Sequence, residues 1–216
     1  MAAGAGTKPT VKKTIIRAGL ETLYLSGTHH LLRPLVGGVG AILALHHVRP
    51  ARPEAFQPNR LLEVTPEFLD RLLRRLTRSR IDVVSLDEMH RRYIEGDFAR
   101  RFVCLTFDDG YKDFLRCAYP SLRKYKLPFA MFIATSFPDR LGELWWIALE
   151  AVIARNNRIG MVINGADQYF ECATTRQKRE LYAAIYGHLR SLKTEEEVRR
   201  MVRDLCACYS LSLIHI

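Results

Sequence analysis

The sequence predicts an α/β fold built on a parallel sheet or barrel, and three observations carry that expectation. Segments with strand character and segments with helical character alternate at least four times between Ala41 and Thr135, the pattern of βα units. Phe102 to Phe107 (FVCLTF) and Pro128 to Thr135 (PFAMFIAT) are apolar at consecutive positions, as strands covered by helices on both faces must be. The chain has 216 residues, 48% hydrophobic and 26% charged, enough to bury a sizeable core and unlike a collagenous, low-complexity or globally disordered chain.

Residues 1–8 are expected to be disordered. From Pro9 to about Leu32 the spacing predicts an amphipathic helix, with Ile15, Ile16, Leu20, Leu23, Tyr24 and Leu31 on one face and Lys12, Lys13 and Arg17 on the other. Such a helix either lies on an anionic membrane or packs on its own domain, and packing on the domain is expected. Pro34 and Gly37-Gly38-Val39-Gly40 end the pattern. Ala41 to His47 (AILALHH) reads as a short buried strand. The prolines of 49–60 make that segment a loop. Thr65-Pro66-Glu67 starts a helix, with Thr as N-cap and Pro in the first turn. Ile81 to Val84 is a strand, and Ser85-Leu-Asp-Glu88 reads as a capping box opening a helix that ends near Gly96. A helix from about Pro120 to Tyr125 links the two apolar strands. Beyond Pro138, helices are expected at 143–156, 175–191 and 194–208, the last behind a Thr194–Glu197 capping box. A small hairpin at 159–170 turns at Asn164-Gly165.

The net charge is +10, with the excess mostly in the first 60 residues. No nucleic-acid motif accompanies it, so no nucleic-acid partner is expected. The five cysteines are odd in number and form no CxxC pair, which suits free thiols in a reducing compartment. No signal peptide or spanning segment is read, and the default placement is cytoplasmic.

The chemistry concentrates in Thr106-Phe107-Asp108-Asp109-Gly110-Tyr111. Two adjacent carboxylates follow a buried strand, and catalytic groups of parallel α/β folds gather at carboxyl strand ends. Adjacent acids repel unless something positive joins them, and a divalent metal is the usual solution. One Asp is then free to act as a base while the other binds. The plainer alternative is an Asp-Asp-Gly turn that only caps a helix. Thr106, Gly110 and His47 are candidate pocket residues, since His46 and His47 end a strand near the same mouth. His29, His30 and His90 read as packing or solvent residues, and Trp145-Trp146 as helix anchors.

Leu105 to Tyr111 (LTFDDGY) resembles the first motif of the polysaccharide deacetylases, the NodB-homology or carbohydrate esterase family four proteins. The likeness continues through Ala118–Tyr125 and Leu127–Ile133. Upstream it takes in Leu45-His-His-Val48, Thr65–Phe68 and Ile81–Asp87, so that it covers roughly 41–150. Within the family it is nearest to chitooligosaccharide deacetylases. The resemblance implies an incomplete (β/α) barrel. Residues 1–40 would be an N-terminal helix and Gly-rich linker, 41–138 a partial deacetylase domain with its core motif region at 102–138, and 139–209 a C-terminal helical insertion. It implies metal-dependent hydrolysis of the N-acetyl group of N-acetylglucosamine-containing oligo- or polysaccharide. By position, Asp108 is the general base, Asp109 a ligand of a divalent metal (Zn2+), and the Tyr111 backbone N–H an oxyanion contact. Water on zinc titrates near about 7 rather than about 16, so a carboxylate suffices as its base.

The family's His-x-x-x-His ligand pair does not follow Asp109; the later histidines are His188 and His215. A sequence cut short is therefore expected, with 210–216 (SLSLIHI) a non-native tail and His215 no site residue. The alternative function is a catalytically incomplete fragment that binds metal weakly or not at all. A phosphatase of the haloacid dehalogenase type needs Asp-x-Asp-Gly, and here the acids are adjacent.

Overall fold

The structure, a computed structural model, describes residues 11–137, 139, 142–163 and 165–211. The expected disorder of 1–8 and residues 212–216 of the expected 210–216 tail, His215 included, lie outside them; Leu211 is described and packs against the core of the C-terminal helices. The chain divides into two compact units, Met1–Ala41 and Ile42–Ile216. In the first, the single helix expected over 9–32 is two, α1 (Val11–Leu25) and α2 (Thr28–Val36). They break at Ser26-Gly27, where Gly27 takes φ 71°, a left-handed turn that glycine adopts without strain. The apolar face is not packed on its own unit as expected: Ile15, Ile16, Leu20, Leu23 and Tyr24 are exposed.

The expected strand 41–47 is also two pieces, β1 (Gly40–Leu45) and β2 (His47–Val48), parted at His46. β2 pairs in parallel with β3 (Glu63–Val64) in a separate two-stranded sheet. Helix α3 (Pro66–Thr77) starts as expected: the Thr65 side chain accepts from Phe68 N, and Leu69, Leu73 and Leu76 are its buried stripe. β4 (Asp82–Val83) leads to α4 (Leu86–Glu95), where Ser85 accepts from Glu88 N. The reciprocal half of that capping box is not made, because Arg91 and Arg92 take the Glu88 carboxylate.

β5 (Phe102–Asp108) is bordered by β1, β4 and β6 (Ala130–Phe132). β4 runs parallel to its first residues and β6 parallel to Thr106, Phe107 and Asp108. A π-helical turn, Phe114–Ala118, runs into α5 (Tyr119–Tyr125) between them. β5 is buried on both faces, as its composition requires. Val103, Leu105 and Phe107 join Leu69, Leu73, Phe114 and Leu122 in one core, while Phe102 and Cys104 meet Val84, Leu86 and Met89. This is the α/β, partial-barrel architecture expected.

The rest follows the sequence closely. Helices α6 (Trp145–Arg155), α7 (Thr175–Ser191) and α8 (Glu195–Cys208) accompany the antiparallel hairpin β7 (Arg158–Ile163) and β8 (Ala166–Glu171), which follows α6 in the chain. They share a second core, which Phe56 of the 49–60 loop enters. Trp145 packs on Tyr186, centroids 5.2 Å apart, the anchoring role expected for it.

A polar network fastens that loop to α6 and α7. Arg49 and Arg52 both donate to Glu63, Arg52 Nη1 donates to Glu150 Oε1 (2.8 Å) and Asn59 Nδ2 to Glu150 Oε2 (2.8 Å). Tyr182 Oη donates to Asn59 Oδ1 (2.9 Å). Burial pushes the Glu63 carboxyl up, but the hydrogen bonds and charges of Arg49 and Arg52 outweigh it and hold it below the usual carboxylate range. A depressed pKa adds stability that is complete above the unfolded value of about 4.3 and disappears as pH falls through the folded value. Glu63→Gln is therefore expected to cost about 1.5–3 kcal/mol at pH 7, the range for hydrogen bonds to charged groups. The gap from the parent protein should narrow below about pH 4. Urea unfolding at the two pH values checks both.

Candidate active site

Alternation along β5 puts Phe102, Cys104, Thr106 and Asp108 on one face. Thr106 is buried, and Asp108 emerges at the strand's carboxyl end with its side chain about one-third exposed (32%). The chain then turns through two consecutive left-handed residues, Asp109 (φ 66°) and Gly110 (φ 70°). Asp tolerates this conformation because its short polar side chain bonds locally. At Gly110 a Cβ would also sit 3.3 Å from Ile133 Cγ1, just past β6. Any side chain there meets both strain and a neighbour, so the second position of the turn that follows Asp108 is specified by glycine.

The two histidines take different parts. His46, at the break between β1 and β2, brings Nε2 to 3.8 Å from Asp108 Oδ2. His47, favoured by the sequence as the pocket histidine, is instead buried. Its Nδ1 lies 2.7 Å from Asp113 Oδ2, and its ring stacks on Tyr111 with centroids 3.6 Å apart. Asp113 Oδ1 also accepts from Val48 N (3.4 Å). An ionised Asp113 requires the imidazole proton on Nδ1. Asp113 thus pins β2 to the loop that follows Gly110. Sequence reading passed over Asp113 and undervalued His46. An acid placed one turn beyond Asp-Asp-Gly was visible for the first, and the strand-end position for the second.

Tyr111 follows the turn, and its carbonyl accepts from Phe114 N (3.0 Å) to open the π-helical turn. Burial, then the charge of Asp109, pushes its phenol well above the ordinary tyrosine range. Its Oη and the Trp146 Nε1 are buried, and the phenol interacts with the Asp109 carboxylate and the Trp146 indole. A cavity of about 610 Å³ lies elsewhere, between β7–β8 and α8, lined by Met161, Tyr169, Met201 and Leu205 among others. It contains none of the motif residues.

The resemblance implies a divalent metal held by Asp109. A catalytic zinc takes three protein ligands, and among the described residues no three His, Cys, Asp or Glu side chains gather at one point. The described residues therefore do not by themselves build that site. What they do assemble is a carboxylate and an imidazole facing one another at a strand mouth, with a left-handed turn beside them.

No curated protein matches the chain. Among solved structures, a deacetylase from Streptococcus pyogenes, PplD, in complex with acetate is 30% identical over 46% of this chain and 44% of its own, with a TM-score of 0.42. IcaB from Ammonifex degensii is 26% identical over 44% of this chain and 37% of its own, TM-score 0.37. A de-N-acetylase from Aggregatibacter actinomycetemcomitans is 18% identical over 67% and 51%, TM-score 0.38. The chain spans less than half the length of the first two. A family model described as polysaccharide deacetylase matches residues 95–204, from the end of α4 through β5 and its aspartates into α8. With half of its length inside that match, the chain belongs to the polysaccharide deacetylase family.

Proposed function

We propose that the mouth of β5 hydrolyses the N-acetyl group of N-acetylglucosamine-containing oligo- or polysaccharide, with chitooligosaccharides as the substrate class. The observation that carries the reading is Asp108 at the carboxyl end of β5 with the His46 imidazole across from it. Asp108 takes a proton from the attacking water, and His46 hands one to the departing sugar amine. The Tyr111 N–H faces the oxygen that becomes negative in the tetrahedral intermediate. The stacked His47, held by Asp113, keeps Tyr111 in place. Were the ligand set completed, Asp109 would be one residue holding a divalent metal, and the ion would supply polarisation of the acetyl carbonyl. Five unpaired thiols support a reducing, cytoplasmic setting. Among the described residues no helix is long and apolar enough to cross a membrane.

The absence of a three-donor cluster among the described residues favours one second reading: a chain that holds the acetylated glycan without hydrolysing it. Acetate release from N-acetylglucosamine oligomers, with zinc supplied, separates the two. Release that depends on Asp108 supports the hydrolase. Release identical in Asp108→Asn overturns the assignment of the base, and glycan binding without release establishes the second reading. His46→Gln is expected to lower kcat by roughly 10²-fold or more with KM little changed, because proton transfer is lost while the groove is not.

A further inference from the structure

We propose that α1 and α2 dock on the surface of an anionic lipid bilayer, an inference independent of the reaction assigned to β5. The first unit has no core: among the described side chains from Thr14 to Ala41, none is buried. Leu25 and Leu31 are 82% and 80% exposed, and Ile15, Leu20 and Tyr24 are more than 60% exposed. Ile16, Leu20, Leu23 and Tyr24 fall at i, i+4, i+7 and i+8 of α1, so they form one stripe along it.

The turn between the helices is nonetheless well defined. Ser26 bonds Thr28 (2.8 Å), His29 Nδ1 lies 3.1 Å from the Leu23 carbonyl, and Tyr24 stacks on His29 with centroids 5.3 Å apart. Helices of 15 and 9 residues are marginal in water without something covering their apolar side. The fold therefore presents a shaped apolar surface that needs a partner.

Charge identifies the partner. Residues 1–41 carry Lys8, Lys12, Lys13, Arg17 and Arg33 against a single acid, Glu21. Glu21 is engaged by Arg17 (2.7 Å), Lys12 and Lys13 fall in the first turn of α1, and Lys8 lies four residues before Lys12 in sequence. An apolar stripe with basic residues and almost no acids matches the boundary between anionic headgroups and acyl chains. Two copies of this unit meeting face to face would bring like charges together. With neither helix able to span, the unit lies on the bilayer rather than crossing it.

The test is flotation of the full chain with phosphatidylcholine vesicles with and without 30% phosphatidylglycerol. The chain should float with the anionic vesicles and bind at least tenfold more weakly to neutral ones, or to anionic ones in 0.5 M salt. Leu20→Glu and, separately, the double variant Lys12→Glu/Lys13→Glu should each abolish flotation. Leu61→Glu, at a still more exposed leucine of the second unit (91%), should float like the parent. Circular dichroism confirms that each variant is folded. Equal binding to neutral and anionic vesicles, no binding, or flotation unchanged in both α1 variants would overturn the proposal. So would a stable dimer, without lipid, that Leu20→Glu dissociates.

Discussion

Asp108→Asn is expected to lower acetate release from N-acetylglucosamine oligomers by about 10²–10⁴-fold, the usual worth of a positioned general base. The substitution keeps the shape of the side chain and removes only its ability to accept a proton from water. It should leave the fold intact. Asp108 is partly exposed, and its recorded ionic contact is the long one to His46 at 3.8 Å, so a change of less than about 1 kcal/mol is expected. A thermal melt run beside the acetate assay checks this. Activity lost with an unchanged melt is loss of chemistry; activity retained removes Asp108 from the mechanism.

The largest expected effect on stability is at the preceding residue. Phe107 is 1% exposed and lies among Leu69, Leu73, Phe114 and Leu122. Phe114 and Phe129 meet it edge-on, with centroids 4.8 and 6.1 Å away. Phe107→Ala removes this contact area and leaves a cavity that strands and helices on every side hinder from collapsing. The expected cost is about 3–5 kcal/mol, a fall in Tm of roughly 6–20 °C for a unit of this size. Loss of the edge-on aromatic pairs adds to the transfer and cavity terms. Because Phe107 lies between Thr106 and Asp108, the variant should also lose activity before it unfolds. A cost under about 1 kcal/mol would contradict the packing described.

The strand that carries the site was legible because its burial is two-sided, and that leaves a continuous apolar run in the sequence. α8 was legible because it opens with a complete capping box at Thr194, and the structure shows that α7 carries one too, at Thr174. The division of 41–47 at His46 was not. β2 leaves the neighbourhood of β1 because its partner is β3, many residues on, and no local pattern announces a distant partner. That break is why His46, not His47, approaches Asp108. The Arg52–Glu150 contact joins residues 98 apart and was invisible for the same reason. On α1 the amphipathic pattern was plain, but a periodicity states which face is apolar and not whether anything covers it. The Asp-Asp-Gly motif points to the candidate site; which neighbours reach Asp108 is decided by the register of β2 and by the left-handed turn at Asp109 and Gly110.

The most direct test of the proton-transfer pair is a double-mutant cycle in acetate release with Asp108→Asn, His46→Gln and the two together. Groups that act as a unit on one reaction are strongly non-additive. The double variant should therefore be no more than a few-fold slower than the worse single variant. Multiplicative losses, or full activity in either single variant, would contradict the assignment of these two side chains to one acid–base reaction.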